Sequence, residues 1–168
     1  WFGSCILSLG TKNFRNQNIV IIILESFSKE YIGALSGDNS YTPFLDSLIQ
    51  HALVFPNAFA NGKRSIEAMP SIIASLPTLM TSSYISSGYV TNNINSLASL
   101  LKNKGYNTSF FHGGSNGTMG FDNFAYAAGI DEYYGMNEYG KNKDFDGNWG
   151  VFDEEFLQFY ATKLNSFK

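Results

Sequence analysis

Six consecutive apolar residues, Ile19–Leu24, lie inside the stretch "NIVIIILE". Apolar, mostly β-branched side chains on both faces of an extended segment predict a buried strand of the parallel type, ending at Glu25. In "YTPFLDSLIQHA", Thr42 and Pro43 mark a helix start, and Phe44, Leu45, Leu48 and Ile49 form its apolar stripe. "LVFPNAFA" reads as a short extended segment, which Pro56 confines to a sheet edge or a bend. A helix is predicted after Ser65, with Ile72, Ile73, Leu76 and Leu79 at helical spacing and Pro70 kinking its first turns. "INSLASLLKNKG" predicts another, with Ile94, Leu97, Leu100 and Leu101 inward and Gly105 as its stop. "YNTSFFHGG" reads as a strand running into His112, and "FDNFAYAAG" as a short helix closed by Gly129. "DEYYGMNEYGKNKDFDGNWG" reads as a long polar, aromatic loop, and "VFDEEFLQFYATKLNSFK" as an amphipathic helix.

Strands alternating with helices predict an α/β fold, a mainly parallel sheet with helices on both faces. Sites in such folds form beyond the carboxyl ends of strands, where Glu25 and His112 are expected. The sequence contains no internal repeat, no GxGxxG and no Walker A motif.

The length of 168 residues suits a single domain, and a net charge of −3 gives no basic field for nucleic acid. The lone cysteine, Cys5, excludes a disulfide within the chain and a cysteine-rich zinc site. The opening "WFGSCILSLG" lacks a basic n-region and is too short to span a bilayer. Residues 1–17 are therefore read as a leader or an added segment, and 18–168 as the N-terminal part of a longer catalytic domain.

The candidate chemistry centres on "FANGKRSIEAMPSIIASLP". Ser65 follows Lys63 and Arg64 and opens a helix, so two readings stand together. Its hydroxyl caps the helix, or it is a nucleophile at a helix N-terminus, where free N–H groups and nearby cations suit a phosphate or sulfate. With no His or Asp close in sequence, a metal ion is the simpler activator. Glu25 is either where a strand meets water or a hard oxygen ligand for Mg²⁺, Mn²⁺ or Zn²⁺. His112, before Gly113 and Gly114, either satisfies a strand end or contacts substrate. His51 reads as structural or exposed, and Trp149 as a core or pocket-wall aromatic. Asp144, Asp146, Asp153, Glu154 and Glu155 lack EF-hand spacing, and the last three read as first-turn helix charges.

"NIVIIILESFSKEYIG", "YTPFLDSLIQHALVFPNAFANGKRSIEAMPSIIASLP", "INSLASLLKNKGYNTSFFHGG" and "DFDGNWGVFDEEF" together resemble the lipoteichoic acid synthase-like sulfatases of the alkaline phosphatase superfamily. The resemblance runs from Asn18 to Phe159. It implies an alkaline phosphatase/sulfatase-like α/β fold, here truncated. Glu25 matches the family's metal-binding glutamate, and Ser65 its Ser or Thr nucleophile, which also touches the metal. His112 matches a histidine of the substrate pocket; Lys63 and Arg64 are expected to stabilise the substrate's negative charge. The implied metal is manganese, with Mg²⁺ or Zn²⁺ as substitutes. The implied substrate is a lipid-linked or glycan phosphate ester, handled outside the cytoplasmic membrane by a protein anchored through transmembrane helices beyond this chain.

The family's remaining ligands, an Asp–His pair from the second half of the domain, have no counterpart before Lys168. Metal binding by this chain alone is thus expected to be weak or absent, and the chain inactive by itself. Counted without gaps from His112, the family's pocket Asp, Trp and Arg fall on Gly114, Met119 and Phe121. The formylglycine motif CxPSR is missing. The resulting expectation is an extracytoplasmic, metal-dependent, phosphoglycerol transferase-like phosphotransferase or hydrolase acting through Ser65. The alternatives are a sulfate ester hydrolase and a non-catalytic binding or assembly domain.

Overall fold

The structure, a computed structural model, describes residues 15–37 and 41–167. Cys5 and most of the 1–17 segment lie outside the described residues. The chain divides into two compact units, Trp1–Pro56 and Asn57–Lys168.

In the first unit, helix α1 (Gly33–Ser36) packs on helix α2 (Pro43–Ile49). Pro43 opens α2 as the sequence predicts, since proline at the first position gives up an N–H that has no partner there. The Asp46 carboxylate accepts the Ala34 backbone N–H at 3.0 Å and joins the two helices. The predicted strand at Asn18–Glu25 is absent. The segment has no regular secondary structure, and its six apolar residues are 44–63% exposed. A parallel strand needs partners for its N–H and C=O groups. The described residues of this unit include no other strand, so an apolar run alone does not make a ladder. The extended segment around Pro56 likewise joins no sheet.

The second unit carries helix α3 (Ser65–Ala74), helix α4 (Leu97–Lys102), strand β1 (Ser109–Phe111), helix α5 (Phe121–Ala127), strand β2 (Glu132–Tyr134), helix α6 (Met136–Tyr139) and helix α7 (Asp153–Ser166). Strands β1 and β2 pair in parallel, with Ser109 opposite Glu132, Phe110 opposite Tyr133 and Phe111 opposite Tyr134. Helix α5 forms the crossover that a parallel pair requires. The stretch predicted as a loop thus contains β2 and α6. Its "EYY" is only three residues long, too short for a period to show against the surrounding polar residues.

Strand alternation sorts the aromatic residues onto two faces. On one, Phe110 stacks on Tyr133 with centroids 5.5 Å apart and meets Phe121 of α5 edge-on at 6.3 Å. On the other, Phe111 stacks on Tyr134 at 4.6 Å and meets Tyr160 of α7 edge-on at 4.9 Å. The fold is α/β with a helix on each face of a small parallel sheet, as the sequence predicts; the sheet has two strands among the described residues. The α5 side holds the larger core, where Phe124 and Ala125 are fully buried with Met69, Ile85, Ala98 and Ile130 around them. The α7 side holds a smaller one of Tyr139, Val151 and Phe156.

The two predicted helix stops hold. Gly105 follows α4 with φ of +83° and Gly129 follows α5 with φ of +82°, a region that favours glycine. Asp153, Glu154 and Glu155 occupy the first turn of α7, where carboxylates oppose the positive end of the helix dipole.

Candidate active site

Ser65 is the first residue of α3, not its cap. The cap position is Arg64, extended at φ −132° and ψ 151°. The capping work falls to Glu67 instead. Its Oε2 accepts the backbone N–H groups of Lys63 at 2.8 Å and Arg64 at 3.2 Å. Its Oε1 accepts the Arg64 guanidinium, Nη2 at 2.6 Å and Nε at 3.1 Å. A carboxylate at the third helical position can reach back in this way. That spacing, Glu two residues after Ser65, was legible in the sequence and is the signal that reading for catalytic types passes over. The cap reading of Ser65 is therefore overturned: Arg64 holds the cap position, the N–H groups of Lys63 and Arg64 go to the buried Glu67 carboxylate, and the Ser65 hydroxyl is not used in capping.

The Arg64 guanidinium beside Glu67, with the Lys63 N–H, holds that carboxyl below the ordinary glutamate range. A lowered folded-state pKa stabilises the fold above the unfolded value, and the contribution is lost as pH falls through the folded one. Glu67→Gln is expected to lower Tm by a few degrees near pH 7. The gap between variant and wild type is expected to close in the acid range below the ordinary glutamate value. Thermal melts by circular dichroism from pH 7 to pH 3 measure it.

The half-buried Ser65 Oγ lies 4.0 Å from the Met119 sulfur. Met119 sits in the turn Thr118–Gly120 and, unusually for a non-glycine residue, has φ of +53°. Two residues on, the Phe121 ring stands edge-on to the His112 imidazole, centroids 4.9 Å apart. Ser65 thus meets Met119 and His112 meets Phe121, two residues further along the same segment. Lys63 and Arg64 are exposed, and Arg64 is committed to Glu67.

His112 extends β1, its N–H donating to the Tyr134 carbonyl at 3.0 Å. The glycine pair behind it is stitched on both sides. Val151 N–H donates to the Gly113 carbonyl at 2.9 Å, and Met136 N–H to the Gly114 carbonyl at 3.1 Å. A Cβ on Gly114 would lie 2.6 Å from His112 Cε1, so the imidazole occupies the space a side chain would take. Tyr133, buried in β2, places its hydroxyl 3.5 Å from His112 Nδ1. The sequence hid this partner because β2 was not recognisable as a strand.

Trp149 is 64% exposed, contrary to the core or pocket-wall expectation. The Asp146 carboxylate gathers the N–H groups of Asn148, Trp149 and Gly150 into a tight turn, and the indole stands outside it. His51 is exposed. Glu25 belongs to the first unit, on an exposed turn whose next residue, Ser26, has φ of +54°. Among the described residues no three His, Cys, Asp or Glu side chains cluster closely enough to hold a metal ion. Glu25 and Ser65 are hard oxygen donors of the type a divalent cation takes, but two such donors do not fill the six or more positions of Mg²⁺ or Ca²⁺, or the four of Zn²⁺. No helix among the described residues is long and apolar enough to cross a membrane.

A family model described as Sulfatase matches residues 17–166. Lipoteichoic acid synthase 2 of Bacillus subtilis (strain 168) is 25% identical over 147 residues, covering 84% of this chain and 22% of that protein. Lipoteichoic acid synthase-like YvgJ of the same organism is 22% identical over 155 residues, covering 90% of this chain and 25% of that protein. Among solved structures, a protein in the alkaline phosphatase superfamily from Vibrio parahaemolyticus superposes with a TM-score of 0.73 and 27% identity, covering 83% of this chain and 34% of that one. The lipoteichoic acid synthase LtaP from Listeria monocytogenes gives 0.66 and 25%, covering 76% and 31%. The chain spans about a quarter of the length of these curated relatives and about a third of these solved structures.

Proposed function

The chain belongs to the sulfatase family, within the alkaline phosphatase superfamily and beside the lipoteichoic acid synthases, and on that premise we propose that it carries the nucleophile of a phosphotransferase or phosphodiester hydrolase. The observation that supports this most is the hydroxyl of Ser65, freed from capping by Glu67 and held at the start of a ten-residue helix. In the proposed reaction Ser65 Oγ attacks phosphorus and the bond from phosphorus to the leaving alcohol breaks. The serine proton passes to solvent and the departing alkoxide takes one up. Water or an acceptor hydroxyl then attacks the phosphoserine, the Oγ–P bond breaks, and Ser65 recovers its proton. The N-terminus of α3 and the exposed Lys63 oppose the charge on the phosphoryl oxygens. Arg64 acts through Glu67, by fixing the helix start, and His112 lines the phosphoryl pocket.

The substrate proposed is a lipid-linked or glycan phosphate ester of the phosphoglycerol type, met at the outer face of a cell membrane. Glu25 and Ser65 are proposed as two ligands of a Mn²⁺ set completed by residues beyond those described. Calorimetric titration of Mn²⁺ is expected to show tight binding in a polypeptide of the length of the solved relatives, and to lose it on Glu25→Ala. Equal binding by Glu25→Ala would remove Glu25 from the set. A sulfate ester hydrolase is the second reading, since the matching family model carries that description. Turnover of nitrophenyl phosphodiester against nitrophenyl sulfate separates the two; faster sulfate release would overturn the first.

A further inference from the structure

Pro70 lies inside helix α3 and is buried there. Proline brings no N–H, so the carbonyl four residues before it loses the partner that a helix ordinarily gives it. In α3 that carbonyl belongs to Ile66, the residue after Ser65. Ile66 packs against the larger core, where a carbonyl left without a donor is costly.

The Ser83 hydroxyl stands at the gap. Its Oγ lies 3.3 Å from the Ile66 carbonyl oxygen, across 17 positions of sequence. Chemistry fixes the direction of this bond: a carbonyl only accepts, so the hydroxyl donates. The same oxygen accepts the Ile85 N–H at 3.3 Å and caps the short turn Tyr84–Ser86. Ser83 is 3% exposed, so both bonds lie away from solvent.

That turn also reaches the other side of Ser65. Ile85 is buried against Gly120, where a Cβ would lie 3.2 Å from the Ile85 Cγ2. Gly120 ends the turn that carries Met119, whose sulfur meets Ser65 Oγ. Residues 83 and 85 therefore touch both supports of the serine, the carbonyl next along α3 and the turn that faces its hydroxyl.

We propose that Ser83 is a positioning residue: its hydroxyl stands in for the N–H that Pro70 lacks and ties the first turn of α3 to the Tyr84–Ser86 turn, which fixes the direction of Ser65 Oγ. The last clause rests on the reading of Ser65 as nucleophile; the repair of the helix at Pro70 does not. The proposal gives a reason for a hydroxyl at a buried position, and for a proline inside the helix that starts at Ser65.

A double-mutant cycle tests the repair. Ser83→Ala is expected to lower Tm by about 3–6 °C in the wild-type background. In Pro70→Ala the loss is expected to be less than half as large, because the new N–H takes over the Ile66 carbonyl. Equal losses in the two backgrounds overturn the proposal. Should Pro70→Ala fail to fold, the Ile66 carbonyl decides: its ¹³C resonance is expected to move upfield in Ser83→Ala, and an unmoved resonance overturns the proposal. Positioning is read in turnover of a nitrophenyl phosphodiester by an active form, well below the Tm of the variant. Ser83→Ala is expected to lower kcat about tenfold with KM unchanged. An unchanged kcat would make the bond a support of the fold alone and overturn the positioning role. If Ser65→Ala left turnover intact, the nucleophile reading would fail while the coupling of Ser83 to Pro70 stood.

Discussion

Ser65→Ala is expected to lower phosphodiester turnover roughly 10³-fold or more while leaving the fold intact. Both halves of that expectation come from one local arrangement. Covalent catalysis has no substitute for the attacking oxygen, so loss of the hydroxyl removes the reaction path rather than weakening it. The same hydroxyl contributes little to folding, because the N–H groups of Lys63 and Arg64 are satisfied by Glu67 and Oγ makes only a long 4.0 Å contact with the Met119 sulfur. Stability should stay within about 0.5 kcal/mol of wild type. Had Ser65 been the helix cap, the alanine would cost about 1 kcal/mol. Chemical denaturation and turnover, measured on the same samples of an active form, separate the cases. Intact turnover would remove Ser65 as nucleophile; a loss of stability near the capping value would return it to the role of a cap.

The second large effect is expected at Gly150, far from Ser65 in sequence. Gly114 and Gly150 bridge antiparallel, and a Cβ on Gly150 would lie 2.8 Å from the Gly113 carbonyl carbon and 2.9 Å from Gly114 Cα, besides meeting the Gly113 oxygen. Those atoms are backbone, and they are tied by hydrogen bonds to Val151 and Met136, so no side chain can swing aside. Gly150→Ala is expected to cost about 2–3 kcal/mol, a Tm lower by roughly 5–10 °C. It should also displace the strand end that carries His112, and the His112 ring resonances report that. Gly88→Ala is the control, with open space at its Cβ and no positive φ, and should leave Tm unchanged. Equal melting of the two variants would show that the glycine pair is not held as described.

The failures of sequence reading share a cause with its successes. Helices α2, α4, α5 and α7 were legible because a helix satisfies its own backbone, so its signals lie within a few residues: Pro43 at a first position, Gly105 and Gly129 beyond the ends, carboxylates at Asp153–Glu155. Strands satisfy their backbone elsewhere. Ile19–Leu24 carries the strongest strand pattern in the chain and joins no sheet, while "EYY" carries almost none and pairs with Ser109–Phe111. A pairing partner, not pattern, decided which became a strand among the described residues.

The site divides along the same line. The residue types were readable: a serine after two cations, a histidine before two glycines, a glutamate after an apolar run, and a sequence that resembles the sulfatases closely enough to name the family. Those are properties of the chain, fixed by order and spacing. That Glu67 rather than Ser65 takes the helix-start N–H groups was decided by a carboxylate folding back on its own turn. That Ser65 meets Met119 and His112 meets Phe121 was decided by tertiary packing, and that Tyr133 stands near His112 Nδ1 was decided by the parallel pairing of β1 with β2 across helix α5. The Tyr133–His112 and Ser65–Met119 contacts join residues 21 and 54 positions apart, so they depend on which elements find each other in space, and a local pattern holds no record of that choice.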